Sequence, residues 1–157
     1  MYYIYHKLFK LKNKLLKEFF EKNNFCRAKL HFLASNHYKV LAKINNQKGW
    51  FIIDTGASIT FISDKLINKF NLKIDQKKED AQGAGKEKIK TQISKKNILQ
   101  VGVKKFNNYT IGIIDLDPIN SAFKLANLDK VDGVIGADLL KRGNAIIDYQ
   151  KNYIYLK

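Results

Sequence analysis

The spacing of apolar and polar positions along the chain changes near residue 27. Before it, residues 4–22 carry large apolar side chains at helical spacing with lysines between them, which predicts an amphipathic basic α-helix that ends at Asn23. After it, apolar and polar residues alternate, as in residues 28–33 and 38–44, which is typical of strands with one solvated face. We therefore predict an N-terminal helical extension, residues 1–26, and one mainly β domain, residues 27–157.

Polar interruptions predict where the elements of the β domain begin and end. Residues 45–49 predict a hairpin turn before the apolar run 50–53, and residues 63–70 predict a short helix capped by Ser63. Two strands are expected at about 91–103 and 106–115, followed by a short helix near 119–127 capped by Asp117. Closing strands are expected at 145–149 and 153–156, and we expect the last one to offer a free edge to a partner.

The most informative stretch follows the apolar run 50–53 directly, and it reads Asp54-Thr55-Gly56-Ala57. An ionisable carboxylate at the end of a buried strand is costly unless the protein uses it. Gly56 lets the backbone approach, so that its N–H can point at the carboxylate oxygens, and the Thr55 hydroxyl can fix the loop to neighbouring backbone. We therefore select Asp54 as the candidate catalytic residue, with Thr55, Gly56 and Ala57 as its supporting loop.

A second glycine-containing stretch lies in the polar segment 75–90, which centres on Gly83, Ala84 and Gly85. It is either an exposed hairpin tip or a mobile flap that closes over a substrate, since glycines permit a tight turn and close backbone approach. Its position between the Asp54 strand and the later strands favours the flap. It is not a phosphate-binding loop, because no Gly-Lys-Ser/Thr sequence follows.

The order of two motifs resembles that of retropepsin-like aspartic proteases. Residues 51–58 form an apolar-D-T-G-A-S sequence, and Val134, Ile135 and Gly136 form a later apolar-apolar-Gly motif followed by a helix-like start. The resemblance covers roughly residues 35–157 and is closest to cellular and bacterial single-domain members. It implies a closed acid-protease β-barrel with short helices, in which the apolar-Gly motif is structural. Retroviral members usually have Arg where this chain has Ala137, which argues against their dimer salt bridge.

The resemblance also implies hydrolysis of a peptide or protein substrate by a pair of aspartates, without a cofactor or metal. The chain has a single D-T-G, because Asp132 and Asp148 lack the hydroxyl-Gly pair, and a two-lobed enzyme needs about twice this length. The dyad is therefore expected to form from Asp54 of two subunits in a homodimer. The family's pattern makes Thr55 a brace between the two loops. The alternative is a catalytically silent retropepsin-like module for dimerisation or peptide binding.

Composition leaves this picture largely unchanged. The net charge of +15 suggests nucleic acid, but of the 29 basic residues only Arg27 and Arg142 are arginine, and the lysines are spread along the chain. We interpret them as solvated surface and expect no specific nucleic-acid site, although a basic nucleic-acid- or membrane-surface-binding protein remains a further alternative. The single cysteine, Cys26, excludes an internal disulfide framework and permits a reducing compartment.

The N-terminal stretch predicts neither a signal peptide nor a transmembrane segment, because lysines break every apolar run. We therefore expect a cytoplasmic protein. The apolar face of helix 4–22 is expected to pack on its own domain or on a second subunit. Contact with a membrane surface through the same residues is the less favoured alternative.

Overall fold

A computed structural model of the chain describes residue 11, residues 14–82 and residues 88–157, with backbone alone for 76–82 and 88–91. Helix α1 covers residues 14–22. The ten strands are β1 (Cys26–Phe32), β2 (Tyr38–Ile44), β3 (Gln47–Ile53), β4 (Phe61–Ser63), β5 (Ile74–Gln82), β6 (Lys88–Val101), β7 (Lys104–Ile114), β8 (Gly133–Ile135), β9 (Ile146–Asp148) and β10 (Tyr153–Leu156). A 3₁₀ turn (Asp64–Leu66) and helices α2 (Asp117–Leu125) and α3 (Ala137–Arg142) lie between them.

The strands form one sheet that closes on itself. Its order is β5-β6-β7-β4-β8-β3-β2-β1-β10-β9, and β2 also pairs with β6, from Ala42 opposite Val101 to Ile44 opposite Leu99. The six strands from β6 through β2 therefore make a closed barrel, and the predicted mainly β barrel is confirmed. Its core is filled by alternate residues of these strands, among them Val40, Ile44, Phe51, Leu99 and Ile113.

The end of the chain does not have the predicted edge. Strand β10 pairs antiparallel with β1 on one side, with Cys26 opposite Leu156, and with β9 on the other, with Tyr153 opposite Asp148. The prediction that residues 153–156 offer a free edge is therefore wrong. The edge strand at this end of the sheet is β9. The reason is a tight return at 149–152, where the Asp148 carboxylate accepts hydrogen bonds from the backbone N–H groups of Gln150 and Lys151 at 3.0 and 2.9 Å.

Asparagine makes most of the turns. Among the described non-glycine residues with positive φ, all except Lys96 are asparagine. Asn tolerates this left-handed conformation better than other side chains, so it takes the place that glycine has in most proteins. Asn45 and Asn46, with φ of 49° and 69°, form a two-residue turn between β2 and β3. The predicted hairpin is confirmed, but its predicted five-residue turn is too long, since β3 begins at Gln47.

Two short helices also differ from their predictions. The segment 63–70 contains only the 3₁₀ turn Asp64–Leu66, although Ser63 does cap it by accepting the N–H of Lys65 at 3.3 Å. Asp117 does not cap α2, because it lies inside the first turn. The side chain of Asp115 instead accepts the Asp117 N–H at 2.8 Å.

Helix α1 contacts the barrel through one side. The Phe20 ring is buried, at 5% exposure, and stacks on the Tyr155 ring of β10 with centroids 4.2 Å apart. Three other apolar residues predicted to pack, Leu11, Leu15 and Phe19, are more than half exposed. Among the described residues, no helix has both the length and the hydropathy that crossing a bilayer requires. The division of the chain at residue 26 stays a prediction.

Candidate active site

Asp54 stands at the end of a parallel strand pair in the barrel wall. Strands β3 and β8 run side by side, with Phe51 opposite Gly133 and Ile53 opposite Ile135, and the Asp54 N–H then donates to the Ile135 carbonyl at 3.0 Å. The pairing stops there, and Asp54, Thr55 and Gly56 are exposed. The carboxylate therefore emerges at an open rim on a backbone that two strands hold in place.

A tight turn fixes the orientation of the Asp54 carboxylate. The Gly56 N–H donates to Asp54 Oδ1 at 2.8 Å, and the Ala57 N–H donates to the Asp54 carbonyl at 3.3 Å. A hydrogen bond from backbone to a carboxylate is stronger and more directional than one between neutral groups. One carboxylate oxygen is thereby oriented by the loop itself. Thr55 lies exposed at the top of the turn, and Ala57 is half-buried below it.

The apolar-Gly motif lies directly behind this loop. Val134 and Ile135 are buried in β8, and Gly136 follows them. The Ala137 N–H donates to the Ala57 carbonyl at 2.7 Å, which ties the start of α3 to the Asp54 loop. The two motifs, about eighty residues apart in the sequence, are thus in direct contact.

A polar network that the sequence analysis missed continues from this contact. The Thr60 hydroxyl donates to Asp138 Oδ1 at 2.8 Å and accepts the Gly136 N–H at 3.1 Å. The Tyr109 hydroxyl lies 3.5 Å from the Thr60 hydroxyl. Thr60 is fully buried, so these partners replace the water that its hydroxyl loses. The signal available in the sequence was Thr60, a hydroxyl residue inside the apolar run 59–62, six positions after Asp54.

Burial raises the pKa of Tyr109 well above its ordinary value of 10.0; the contact with the Thr60 hydroxyl opposes this shift, and Asp138 adds to it. Because the folded pKa is the higher one, the protonated phenol stabilises the fold fully below about pH 10 and less as the pH rises beyond it. We expect Tyr109→Phe to lower the free energy of unfolding by about 1 kcal/mol at neutral pH and to reduce its decline in alkali.

Urea unfolding of the wild type and Tyr109→Phe at about pH 8 and pH 11 measures this difference. Tyr149→Phe is the matched control, because Tyr149 is exposed and its substitution should leave the alkaline decline unchanged. A Tyr109→Phe variant that loses stability as steeply in alkali as the wild type would contradict the assignment.

Two other aspartates near the motifs have structural partners. Asp132 accepts the Trp50 N–H at 2.8 Å and pairs with Lys69 at 2.5 Å. The register places it beside Trp50, at the opposite end of the β3–β8 pair from Asp54, roughly 13 Å along the strand. Asp148 is held by the 149–152 return described above. Neither therefore supplies Asp54 with a second carboxylate from the same chain.

The predicted flap lies largely outside the described residues. Strands β5 and β6 form a long antiparallel hairpin that can be followed to the pair Gln82 and Lys88. Gly83, Ala84 and Gly85 fall in the gap 83–87. Within the described ranges, no cluster of three or more His, Cys, Asp or Glu side chains could hold a metal ion.

A closed barrel with an aspartate at the rim of its β3–β8 pair is the retropepsin-like fold. One similar solved structure is a retropepsin-like aspartic protease from Rickettsia conorii, with a TM-score of 0.57 and 21% identity over 85% of this chain and 91% of that one. A family model described as aspartyl protease matches residues 40–139. The chain belongs to this aspartyl protease family.

Two further solved structures share the fold at lower identity. The retroviral protease-like domain of Ddi1 from Leishmania major gives a TM-score of 0.53 and 17% identity over 76% of this chain and 86% of that one. EIAV protease in complex with an inhibitor gives a TM-score of 0.50 and 13% identity over 75% of this chain and 98% of that one. No curated protein matches the chain.

Proposed function

We propose that the protein is an aspartic endopeptidase that acts as a homodimer, with Asp54 of each subunit forming the catalytic dyad. The observation that carries the proposal is the exposed Asp54 carboxylate, which the Gly56 N–H orients at 2.8 Å on the rim of a retropepsin-like barrel. Membership in the aspartyl protease family supports it.

The chemistry follows the established mechanism of aspartic proteases. Two carboxylates at close range cannot both ionise, so the pair shares one proton. The ionised Asp54 takes a proton from a bound water, whose oxygen attacks the peptide carbonyl carbon, while the protonated Asp54 gives its proton to the carbonyl oxygen. Collapse of the tetrahedral intermediate breaks the C–N bond. The leaving amine takes up the proton that the dyad gained from water, and a hydroxyl of the intermediate returns its proton to the other carboxylate, so the dyad again shares one proton. No cofactor or metal takes part.

The chain's own arrangement supports the two-fold site. It has one D-T-G motif, and Asp132 and Asp148 are held by other partners. Thr55 lies exposed on the loop beside Asp54, where a symmetry-related loop would be braced. Because Ala137 replaces the retroviral Arg, the dimer would need contacts other than that salt bridge.

The substrate is a peptide or protein chain bound across the rim. The β5–β6 hairpin would cover it, and Gly83, Ala84 and Gly85 would form the closing tip of this flap. An extended peptide can add main-chain hydrogen bonds to such a hairpin. The cytoplasm remains the proposed location, and the single cysteine is compatible with its reducing conditions.

A subunit-mixing experiment tests the shared dyad. Heterodimers of wild type and Asp54→Asn carry only one aspartate and should be inactive. Adding an equal amount of the variant should therefore lower the activity of a fixed amount of wild type to about one half, and a large excess should abolish it. Cleavage is measured at the moment of mixing and again after subunits have exchanged.

The value at the moment of mixing is the control, since exchange has not yet occurred. A tag on the variant shows by co-purification that heterodimers form. Unchanged activity in the presence of those heterodimers would mean that each subunit carries a complete site. Sedimentation of the wild type over a range of concentrations should show where the dimer dissociates. In cleavage assays over the same range, activity per mole should fall as it does so.

A further inference from the structure

One peptide group behind the Asp54 loop is held at both of its ends. The carbonyl of Ile135 and the N–H of Gly136 belong to the same planar unit and point in opposite directions, because the peptide bond between them is trans. The carbonyl accepts the Asp54 N–H at 3.0 Å, and the N–H donates to the Thr60 hydroxyl at 3.1 Å. A rotation of this plane at one end must therefore move the other end as well.

The Thr60 hydroxyl can hold this peptide group because its single proton already has an acceptor. It donates to Asp138 Oδ1 at 2.8 Å, whereas the Tyr109 hydroxyl lies farther away, at 3.5 Å. An ionised carboxylate can only accept hydrogen bonds. Asp138 therefore fixes the direction of the Thr60 proton, and this turns a lone pair of the hydroxyl oxygen toward the Gly136 N–H.

Backbone contacts hold Thr60 itself in place. Its carbonyl accepts the Gly112 N–H of β7 at 2.9 Å, and strand β4, which begins at the next residue, pairs with both β7 and β8. The residue is fully buried, at 0% exposure, so its hydroxyl has exchanged water for these partners. Loss of the hydroxyl would leave the buried Gly136 N–H without its acceptor, which is costly.

We propose that Thr60 and Asp138 are positioning residues that set the orientation of the Asp54 backbone through the peptide group 135–136. Asp138 acts on Thr60, Thr60 acts on the peptide plane, and the plane acts on Asp54, in the order in which three hydrogen bonds connect them. The part that this pair plays in cleavage rests on the proposed endopeptidase function, whereas its effect on the Asp54 loop does not.

Thr60→Val removes the hydroxyl and keeps a side chain of similar shape. We expect it to lower kcat by about ten- to a hundredfold, because small displacements of a catalytic group are this costly. KM should stay within about twofold of the wild-type value, because the buried side chain cannot meet the substrate. Thr60→Ser keeps the hydroxyl and should retain most of the activity. Equal losses of kcat in the two variants would overturn the proposal, since the hydroxyl would not be responsible.

Ile154→Val is the control for a loss of stability alone. Ile154 is fully buried in β10, which lies between β1 and β9 in the sheet. The change should lower the midpoint of urea unfolding and leave kcat near the wild-type value. If Thr60→Val lost no more activity than Ile154→Val, its hydroxyl would have only a structural role.

A double-variant cycle tests whether the two side chains act as one unit. Asp138→Ala should lower kcat in the same direction as Thr60→Val, because each removes the hydrogen bond between them. The protein that carries both changes should be about as active as the slower of the two single variants. Losses of kcat that multiply would show that the two residues act independently, which would contradict the proposed order.

Hydrogen exchange of single amides gives a measurement that does not depend on cleavage. In Thr60→Val the Asp54 N–H should exchange at least about tenfold faster than in the wild type. The Asn45 N–H, which donates to the Ile98 carbonyl at 2.9 Å at the far end of the β2–β3 hairpin, should change little. Unchanged exchange at Asp54 would overturn the proposal, and so would equal acceleration at both amides, which would mean a general loss of stability.

The two measurements separate this inference from the function on which it rests. A folded, dimeric wild type that cleaves no peptide would refute the endopeptidase function. Faster exchange at Asp54 alone in Thr60→Val would then still support the positioning of the loop by Thr60. Full activity in Thr60→Val, with cleavage by the wild type, would refute the positioning role and leave the endopeptidase function intact.

Discussion

Replacing Asp54 by Asn should reduce peptide hydrolysis by at least about a thousandfold while leaving the barrel folded. The amide oxygen of Asn can still accept the Gly56 N–H, and the side chain is nearly the same size, so the loop should keep its shape. A pair of amides, however, can neither take a proton from water nor give one to the substrate carbonyl. Cleavage of a diverse peptide library, followed by mass spectrometry, compares the two proteins.

Asp129→Asn is the matched control for this experiment. Asp129 is highly exposed, and an ion pair with Lys39 at such an exposed carboxylate contributes little, so its loss should leave activity and stability nearly unchanged. Sedimentation should give the same dimer for wild type, control and Asp54→Asn. Undiminished cleavage by Asp54→Asn would refute the mechanism. A wild type that binds peptides as a dimer without cleaving any of them would favour the silent binding module.

Local patterns in the sequence predicted the strands and the Asp54 loop, whereas the closed barrel was implied by the resemblance to retropepsin-like proteases. The alternation of apolar and polar residues predicted the strands, and the change from an apolar run to Asp54-Thr55-Gly56 predicted the site. Both signals depend on neighbours in the sequence. The order of the strands in the sheet depends instead on residues that are far apart in the sequence. Strand β10 lies between β1 and β9, and this pairing joins Cys26 to Leu156 across almost the whole chain, which no local window reports. The prediction of a free edge at residues 153–156 was wrong for this reason.

The missed network shows the same limit at the site. Thr60 meets Tyr109 and Asp138, residues that are 49 and 78 positions away in the sequence. Each of the three is unremarkable alone, since threonine, tyrosine and aspartate are common in β proteins. The pairing of β4 with β7 brings Tyr109 to Thr60, and the contact between the start of α3 and the Asp54 loop brings Asp138 there.

The position of Gly49 explains the error in the β2–β3 turn. A glycine after four polar residues predicted the end of a five-residue turn, but Gly49 lies within β3 opposite Ala42. A Cβ there would lie 2.7 Å from the Phe70 ring and 2.9 Å from the Phe51 ring. The glycine is needed for this close packing in the core, and the turn itself is made by Asn45 and Asn46.

Gly136 is required for close approach at the site itself. A Cβ on Gly136 would lie 2.5 Å from the Ile59 carbonyl oxygen and 2.8 Å from that of Ala57. Both obstacles are backbone atoms, one in the Asp54 loop and one two residues after it, so they cannot rotate away. Adding one methyl group at this position must therefore move either β8 or the loop that carries the carboxylate.

Gly136→Ala should consequently cost about 2 kcal/mol or more of unfolding free energy and reduce cleavage by about a hundredfold or more, because small displacements of a catalytic group are this costly. Gly112→Ala is the matched control. Its Cβ would also meet Ile59, at 2.9 Å, but the nearest atom is the terminal Cδ1, which can rotate away. The next atom, the Phe61 Cβ, lies at 3.2 Å and would have to shift by only a few tenths of an ångström. Urea unfolding and cleavage assays on both variants separate the two cases. If Gly136→Ala were as stable and active as Gly112→Ala, the apolar-Gly motif would not position the Asp54 loop.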